Sequence, residues 1–223
     1  MKIKLILAAD SNDPLRKKNP FKPLSLLLLE ASAPDHEYDL IDMLDAPGID
    51  YDLKVDLVGI SIRKSAEKAG LVVADQFRKR NVKVVLGGPQ ASANPIEAIK
   101  HADAVVIGEG EDLWPKLLLD MEANQLKDFY ASVPISFEAN GYSVYQLENL
   151  PSLDRIPKVN RQLFKKKYDF ELVFASRGCA INCDFCSVTR LFGSKYRFRP
   201  VDDVVHEIAS IRGYYYLIDD TVF

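Results

Sequence analysis

Apolar residues in this chain fall into short blocks separated by polar turns, and the blocks alternate between two periods. Ile3 to Ala9 is a compact apolar run that stops at Asp10, as a central parallel strand does. Asp10 to Asn19 is polar and predicts a loop. Pro23 opens a predicted helix through Ala31, where its missing N–H costs little in the first turn. Tyr38 to Leu44 predicts a second strand and Asp56 to Ile62 a third. Ser65 is placed to cap the next helix, although Lys68 leaves the capping box incomplete. Leu71, Val72, Ala74 and Phe77 lie at helical spacing, and Asn81 is suited to end that helix. A fourth strand, Val82 to Leu86, runs into Gly87-Gly88. A short helix over Pro95 to Lys100 precedes a fifth strand, Ala102 to Ile107, which ends in Gly108-Glu109-Gly110. Trp114 to Met121 closes the series as a helix.

Strands alternating with helices predict an α/β fold: an N-terminal doubly wound parallel sheet of Rossmann-like type over residues 1–124. Such sheets bind ligands at the carboxyl ends of their strands, near the point where strand order reverses. Those ends are small and polar here: Ser61, then Gly87-Gly88-Pro89-Gln90-Ala91-Ser92, then Gly108-Glu109-Gly110-Glu111. Glycine lets a ligand approach the backbone closely, yet simple turns use glycine equally well. A Gly-x-Gly-x-x-Gly after the first strand is absent, which argues against a dinucleotide site.

The texture changes over 125–168, where Pro134, Pro151 and Pro157 mark a linker. Within it, Phe137 to Leu147 is centred on Asn140-Gly141, a two-residue hairpin signal. Leu150 to Pro157 reads as an extended connector, and Lys165-Lys166-Lys167 as a solvated face. From 169 to 223 a second unit begins. Glu171 to Ser176 predicts a buried strand, Pro200 to Ile211 a helix with Asp202 and Asp203 against its dipole, and Tyr214 to Ile218 another strand ending at Asp219-Asp220.

Composition adds bounds. The 223 residues are 48% hydrophobic and 27% charged, with net charge −3. That is enough for one large or two modest domains and gives no reason to expect a nucleic-acid partner. No apolar run is long enough for a transmembrane segment. A cytoplasmic protein of a reducing compartment is the expectation.

The chain's three cysteines stand together, Cys179, Cys183 and Cys186, as C-x3-C-x2-C with Phe185 before the last. Three thiolates from one loop suit a [4Fe–4S] cube with one iron left open. A disulfide is disfavoured by the odd count and tight spacing. Structural zinc would need a fourth ligand, His206 or a distant carboxylate.

This spacing resembles the signature of radical S-adenosylmethionine (SAM) enzymes. The ordered run Ser61–Ser65, Leu86–Ser92 and Val106–Glu111 resembles the cobalamin-binding domain that precedes the barrel in one large radical SAM class. The resemblance covers nearly the whole chain and implies several things. Residues 169–223 would begin a radical SAM (β/α) barrel, incomplete because the sequence stops after its second strand, so the chain reads as a truncated product. Cys179, Cys183 and Cys186 would hold the cluster. Ser61, Ser65, Gly87, Gly88, Ser92, Gly108, Glu109 and Gly110 would contact cobalamin. Phe185 would pack near the SAM adenine, and Asp219 and Asp220 would reach the SAM amino group or else merely cap a following element. Arg197 and Arg199 would hold an anionic group or lie on the surface. Many cobalamin domains place a cobalt-ligating histidine after the first strand; here that loop is Asp10 to Arg16 with none, so cobalamin is expected without a protein histidine ligand. His36 and His101 belong to the opposite edge.

The implied activity is a cobalamin-dependent radical SAM reaction. A 5′-deoxyadenosyl radical would drive methylation or rearrangement of an unactivated carbon in a small-molecule substrate, with flavodoxin or ferredoxin as reductant. The alternative is a non-catalytic iron–sulfur or cobalamin carrier. A methylthiotransferase is disfavoured, because no cysteine precedes Cys179.

Overall fold

The computed structural model describes residues 1–14, 19–46, 48–138, 143–145 and 150–221, the short 143–145 piece by its backbone. The apolar runs form the expected strands: β1 (Lys2–Leu7), β2 (Glu37–Asp42), β3 (Leu57–Ser61), β4 (Lys83–Gly87) and β5 (Ala104–Ile107). Together with β6 (Phe129–Ala131) they make one six-stranded sheet in the order β2-β1-β3-β4-β5-β6, parallel throughout. Buried on both faces, β1, β3, β4 and β5 carry no alternation: Ile3, Leu5, Ile6, Val84 and Leu86 are all fully buried, whereas the edge strand β2 is mostly half-buried. Lys4 lies in the same run with its stem 2% exposed, its ammonium 2.7 Å from Asp39 on the neighbouring strand.

Helices cover both faces. On one, α2 (Glu67–Arg78), α3 (Pro89–Ala93) and α4 (Pro95–Ala98) pack Val73, Phe77, Ala91 and Ala98 onto Ile6, Val58, Ile60 and Leu86. On the other, α1 (Leu24–Ser32) and α5 (Leu113–Glu122) pack Leu26, Leu27, Trp114 and Leu117 onto Ile3, Leu5, Leu57 and Val85. Asn81, with φ of 58°, turns the chain after α2 in the left-handed region that asparagine tolerates.

Three expectations need correction. Ser65 caps nothing: it is exposed within a 3₁₀ turn, Lys64–Ala66, and α2 starts after Ala66 without a side-chain cap. The boundary at residue 124 falls too early, since β6 completes the sheet. Its three residues are too few to carry a periodic signal. The predicted strand Glu171–Ser176 is two elements, β9 (Phe170–Val173) and β10 (Ser176–Arg177). The chain breaks between them because the Ala175 N–H donates to the Asp219 carboxylate, not to a strand neighbour.

The linker holds the antiparallel pair β7 (Ile135–Phe137) and β8 (Ser143–Tyr145), in register Phe137↔Ser143. The Asn140-Gly141 turn between them lies outside the described residues. Beyond it come α6 (Ser187–Phe192), β11 (Arg197–Phe198), α7 (Val201–Ser210) and β12 (Tyr214–Leu217). β12 pairs parallel with β9, and β10 pairs antiparallel with β11. A bridge from Phe21 to Phe170 joins this second unit to the chain just before α1. Among the described residues no helix is long and apolar enough to cross a membrane.

Candidate functional site

The carboxyl ends of β3, β4 and β5 open into a cavity of about 340 Å³. Gly59, Ser61, Gly87, Gly88, Gly108 and Gly110 line it from the sheet, with Ser92 from α3. Leu24, Leu28 and Trp114 close its apolar side. The second unit supplies the rest, through Phe174, Ser176, Arg177, Phe192 and Asp220. In this strand order the reversal lies between β1 and β3, and the cavity sits to one side of it. The ground beyond β2 is taken by the linker. There the Tyr168 hydroxyl donates to Asp42 at 3.4 Å, and Lys166 pairs with Asp45.

The glycines are there for backbone reasons. Gly88 and Gly108 both have φ of 87°, which a side chain rarely tolerates. A Cβ on Gly88 would come within 2.8 Å of Ser61 Oγ. The Gly108 N–H donates to Ser92 Oγ at 3.0 Å. Gly59, inside β3, was not singled out in the sequence. A Cβ there would meet Leu5 Cδ2 at 2.8 Å and Trp114 Cη2 at 3.1 Å, so this glycine lets the indole approach the sheet. The only signal for it was a glycine interrupting a strand pattern.

The cysteine loop follows β10 directly. Cys179 is buried, whereas Cys183 and Cys186 are partly exposed, and none is in a disulfide. The backbone is folded locally by Cys186 N–H donating to Cys183 O at 3.0 Å and Cys179 N–H to Gly193 O at 3.2 Å. The Thr221 hydroxyl donates to Cys179 Sγ at 2.9 Å. That bond, followed by one from the Ile181 N–H, holds the Cys179 thiol below its ordinary pKa. Among the described residues no three His, Cys, Asp or Glu side chains are gathered closely enough to hold a metal ion. The three thiols share one loop without converging.

Several predicted site residues have other duties. Ser65 is not among the cavity-lining residues, and Phe185 points away from packing at 92% exposed. Asp219 spends both oxygens on the strand before the loop, accepting from Ala175 N–H and Ser176 Oγ, each at 2.7 Å. Asp220 accepts from Gly178 N–H at 2.8 Å. Neither acid caps a helix. Arg199 is buried, donating to Phe174 O at 2.8 Å and pairing with Glu207 at 2.6 Å. Arg197 and Glu109 pair with each other, and Glu109 also lines the cavity. None of the three histidines lines the cavity. His36 meets the N-terminal amine and His101 meets Asp75, at the far end of the strands.

The fold thus defines an α/β protein in which a doubly wound parallel sheet carries a ligand-sized cavity, roofed by a second unit that bears three cysteines. No family model matches the chain. It is 33% identical over 192 residues to the bacteriochlorophyllide d C-8(2)-methyltransferase of Chlorobaculum tepidum, covering 85% of this chain and 41% of that protein. It is 31% identical to an uncharacterised methyltransferase of Pyrococcus horikoshii, covering 90% of this chain and 48% of that one. Among solved structures it shares the fold of the radical SAM methyltransferase TsrM from Kitasatospora setae, determined with cobalamin and a [4Fe-4S] cluster bound. The TM-score is 0.67 at 15% identity, covering 98% of this chain and 47% of TsrM. The chain spans under half the length of each of these proteins.

Proposed function

We propose that this chain provides the corrinoid- and cluster-binding parts of a cobalamin-dependent radical SAM methyltransferase. The carrying observation is adjacency: the C-x3-C-x2-C loop follows β10, whose Ser176 and Arg177 line the glycine-lined cavity, as does Asp220, which accepts the Gly178 N–H. The methyltransferase names of its relatives support the same reading.

The donor set fits. Three free thiols on one loop, the first already acidified by Thr221, are soft ligands for iron. Cys179, Cys183 and Cys186 would hold the cluster, with the two partly exposed thiols drawn toward Cys179. The cavity suits the flat aromatic end of a corrinoid nucleotide tail: Leu24, Leu28, Val85, Val106 and Trp114 give it apolar walls, and Gly87, Gly88, Gly108 and Gly110 give it a rim of accessible backbone. When bound, the cluster with SAM supplies one-electron cleavage to a 5′-deoxyadenosyl radical, and the corrinoid supplies a methyl carrier. The protein's own part is placement. Asp219 and Asp220 fix the backbone on either side of Arg177, and Phe174 and Phe192 line the cavity from the second unit.

The test is anaerobic reconstitution with iron and sulfide, then SAM and a reductant, with 5′-deoxyadenosine measured by chromatography. Hydroxocobalamin binding is followed separately by visible absorption. Both signals are expected. A brown protein that binds corrinoid but forms no 5′-deoxyadenosine would favour a carrier role, and absence of both would overturn the reading.

A further inference from the structure

Four charged side chains meet where the cysteine-bearing unit touches the sheet. Arg177 Nη1 lies 2.9 Å from Glu109 Oε2, and its Nη2 lies 2.5 Å from Glu111 Oε1. Arg197 pairs with Glu109 from the other side, at 3.1 Å through Nη1, and also donates to Pro151 O at 2.7 Å. The four side chains are only 6–16% exposed. Two acids face two bases, and both oxygens of Glu109 are taken. Burial opposes the Glu111 charge, but the Arg177 guanidinium outweighs it and leaves the carboxyl below its ordinary pKa. The Arg177 guanidinium also lies 4.6 Å from the centroid of the Phe174 ring, a cavity wall, and Arg199 lies 5.0 Å from the same ring.

The start of the loop is also tied down by the Gly178 N–H on Asp220, the Cys179 N–H on Gly193 O and the Thr221 hydroxyl on Cys179 Sγ, whereas the stretch beyond is open. Ala180, Ile181, Asn182, Asp184 and Phe185 are all exposed. Its place is therefore set at its root, and Arg177 stands two residues before Cys179.

We propose that Arg177 is a positioning residue: by forking onto Glu109 and Glu111 it registers the cysteine loop on the turn after β5, so that the loop and the cavity mouth hold one geometry. Its functional meaning rests on the cluster-binding reading above, but the positioning itself is a property of the metal-free chain. Glu111 is the informative partner, because Glu109 keeps Arg197 when Arg177 is lost, whereas the ion pair of Glu111 is with Arg177.

The experiment is amide hydrogen exchange on the metal-free protein, resolved over residues 178–186, together with the rate of thiol labelling. The variants are Arg177→Gln, Arg177→Lys, Glu111→Gln and the double variant Arg177→Gln/Glu111→Gln. Losing a charged, largely buried hydrogen-bonded pair is expected to speed loop exchange and Cys179 labelling by about tenfold or more. Exchange in β1, β3 and β4 stays unchanged, the double variant is no faster than Arg177→Gln, and Arg177→Lys recovers part of the protection. As a spectroscopic readout, reconstituted Arg177→Gln is expected to carry wild-type iron with a broadened electron paramagnetic resonance signal in the reduced cluster. Unchanged loop exchange in the single variants would overturn the proposal. So would strictly additive effects, or acceleration spread equally through the sheet. A wild-type protein that takes up no cluster defeats the proposed function, while the exchange data still decide the positioning role.

Discussion

The Asp220 carboxylate accepts the Gly178 N–H at 2.8 Å, across 42 residues of chain. It does so beside Asp219, which holds Ala175 N–H and Ser176 Oγ. The two acids at the end of β12 thus act on the backbone that leads to Cys179. Hydrogen bonds to a charged acceptor are worth about 1.5–3 kcal/mol when buried, and these acids are only partly so. Asp219→Ala is expected to lower stability by about 1–2 kcal/mol and Asp220→Ala by less, since Asp219 loses two donors. Urea denaturation monitored by circular dichroism checks the order; Asp220→Ala costing more than Asp219→Ala would contradict it.

Gly178 sits at φ of 88°, and a Cβ there would lie 2.3 Å from Lys195 O and 3.1 Å from both Phe192 O and Gly193 O. Those neighbours are backbone and cannot rotate away. Gly178→Ala is expected to cost on the order of 2–3 kcal/mol from strain alone, and to dislodge the segment that carries Cys179. Gly213 offers the control: its φ is 132° but nothing stands within 4 Å of a Cβ. Gly213→Ala therefore carries conformational strain without a clash and is expected to cost less. The comparison is made by denaturant titration and by iron content after reconstitution.

Gly59 governs the cavity's apolar wall. Gly59→Val forces the added methyls against Leu5 and Trp114, and overpacking of this kind costs about 1–3 kcal/mol. The displaced indole moves toward the cavity it lines. Hydroxocobalamin affinity is expected to fall at least tenfold, with cluster content unchanged because Gly59 lies in β3 and not in the cysteine unit. Equal corrinoid affinity in the variant would separate the cavity from the proposed ligand.

How legible this molecule was depends on the range over which each signal acts. Four of the six strands of the parallel sheet follow from apolar runs such as Leu57–Ser61, because burial on both faces leaves a local mark, and the half-buried edge strand β2 was legible from its Tyr38, Leu40 and Ile41. β6 was missed because its pairing with β5, Val106 opposite Tyr130, is decided by tertiary contact over three residues. Helix α3 was missed for the same reason: Pro89–Ala93 reads as part of a glycine turn. The rim glycines were visible as strand ends, and the cysteines as a spacing. What no local pattern carries is who pairs with whom. Glu109 was expected only as a ligand contact, and the approach of Arg177 and Arg197 from 68 and 88 residues away shows that its charge is paired within the chain. Asp219 and Asp220, read as ligand contacts or else caps, accept from the chain itself: Asp219 from Ala175 N–H and Ser176 Oγ, Asp220 from Gly178 N–H.

Tyr38 gives a prediction at high pH. Its side chain packs with the α1/α5 core, its hydroxyl donates to Ala33 O at 2.8 Å and accepts from Trp114 Nε1 at 3.2 Å. Burial pushes its pKa up to about 12; the Trp114 bond pulls the other way and the Glu30 charge adds to the rise. The unfolded chain releases this proton near the ordinary value of 10.0. Between the two values the native state therefore holds more protons than the unfolded state, and stability falls as pH rises through that window. Tyr38→Phe removes the titrating group. It also leaves the indole N–H without its acceptor, so the variant is expected to be less stable at pH 7 yet to lose less stability between pH 10 and pH 12. Thermal melts of both proteins across that range, with tyrosine ionisation followed by ultraviolet absorption, test the sign. A variant whose melting temperature falls as steeply as the wild type over the window would show that Tyr38 is not the group responsible.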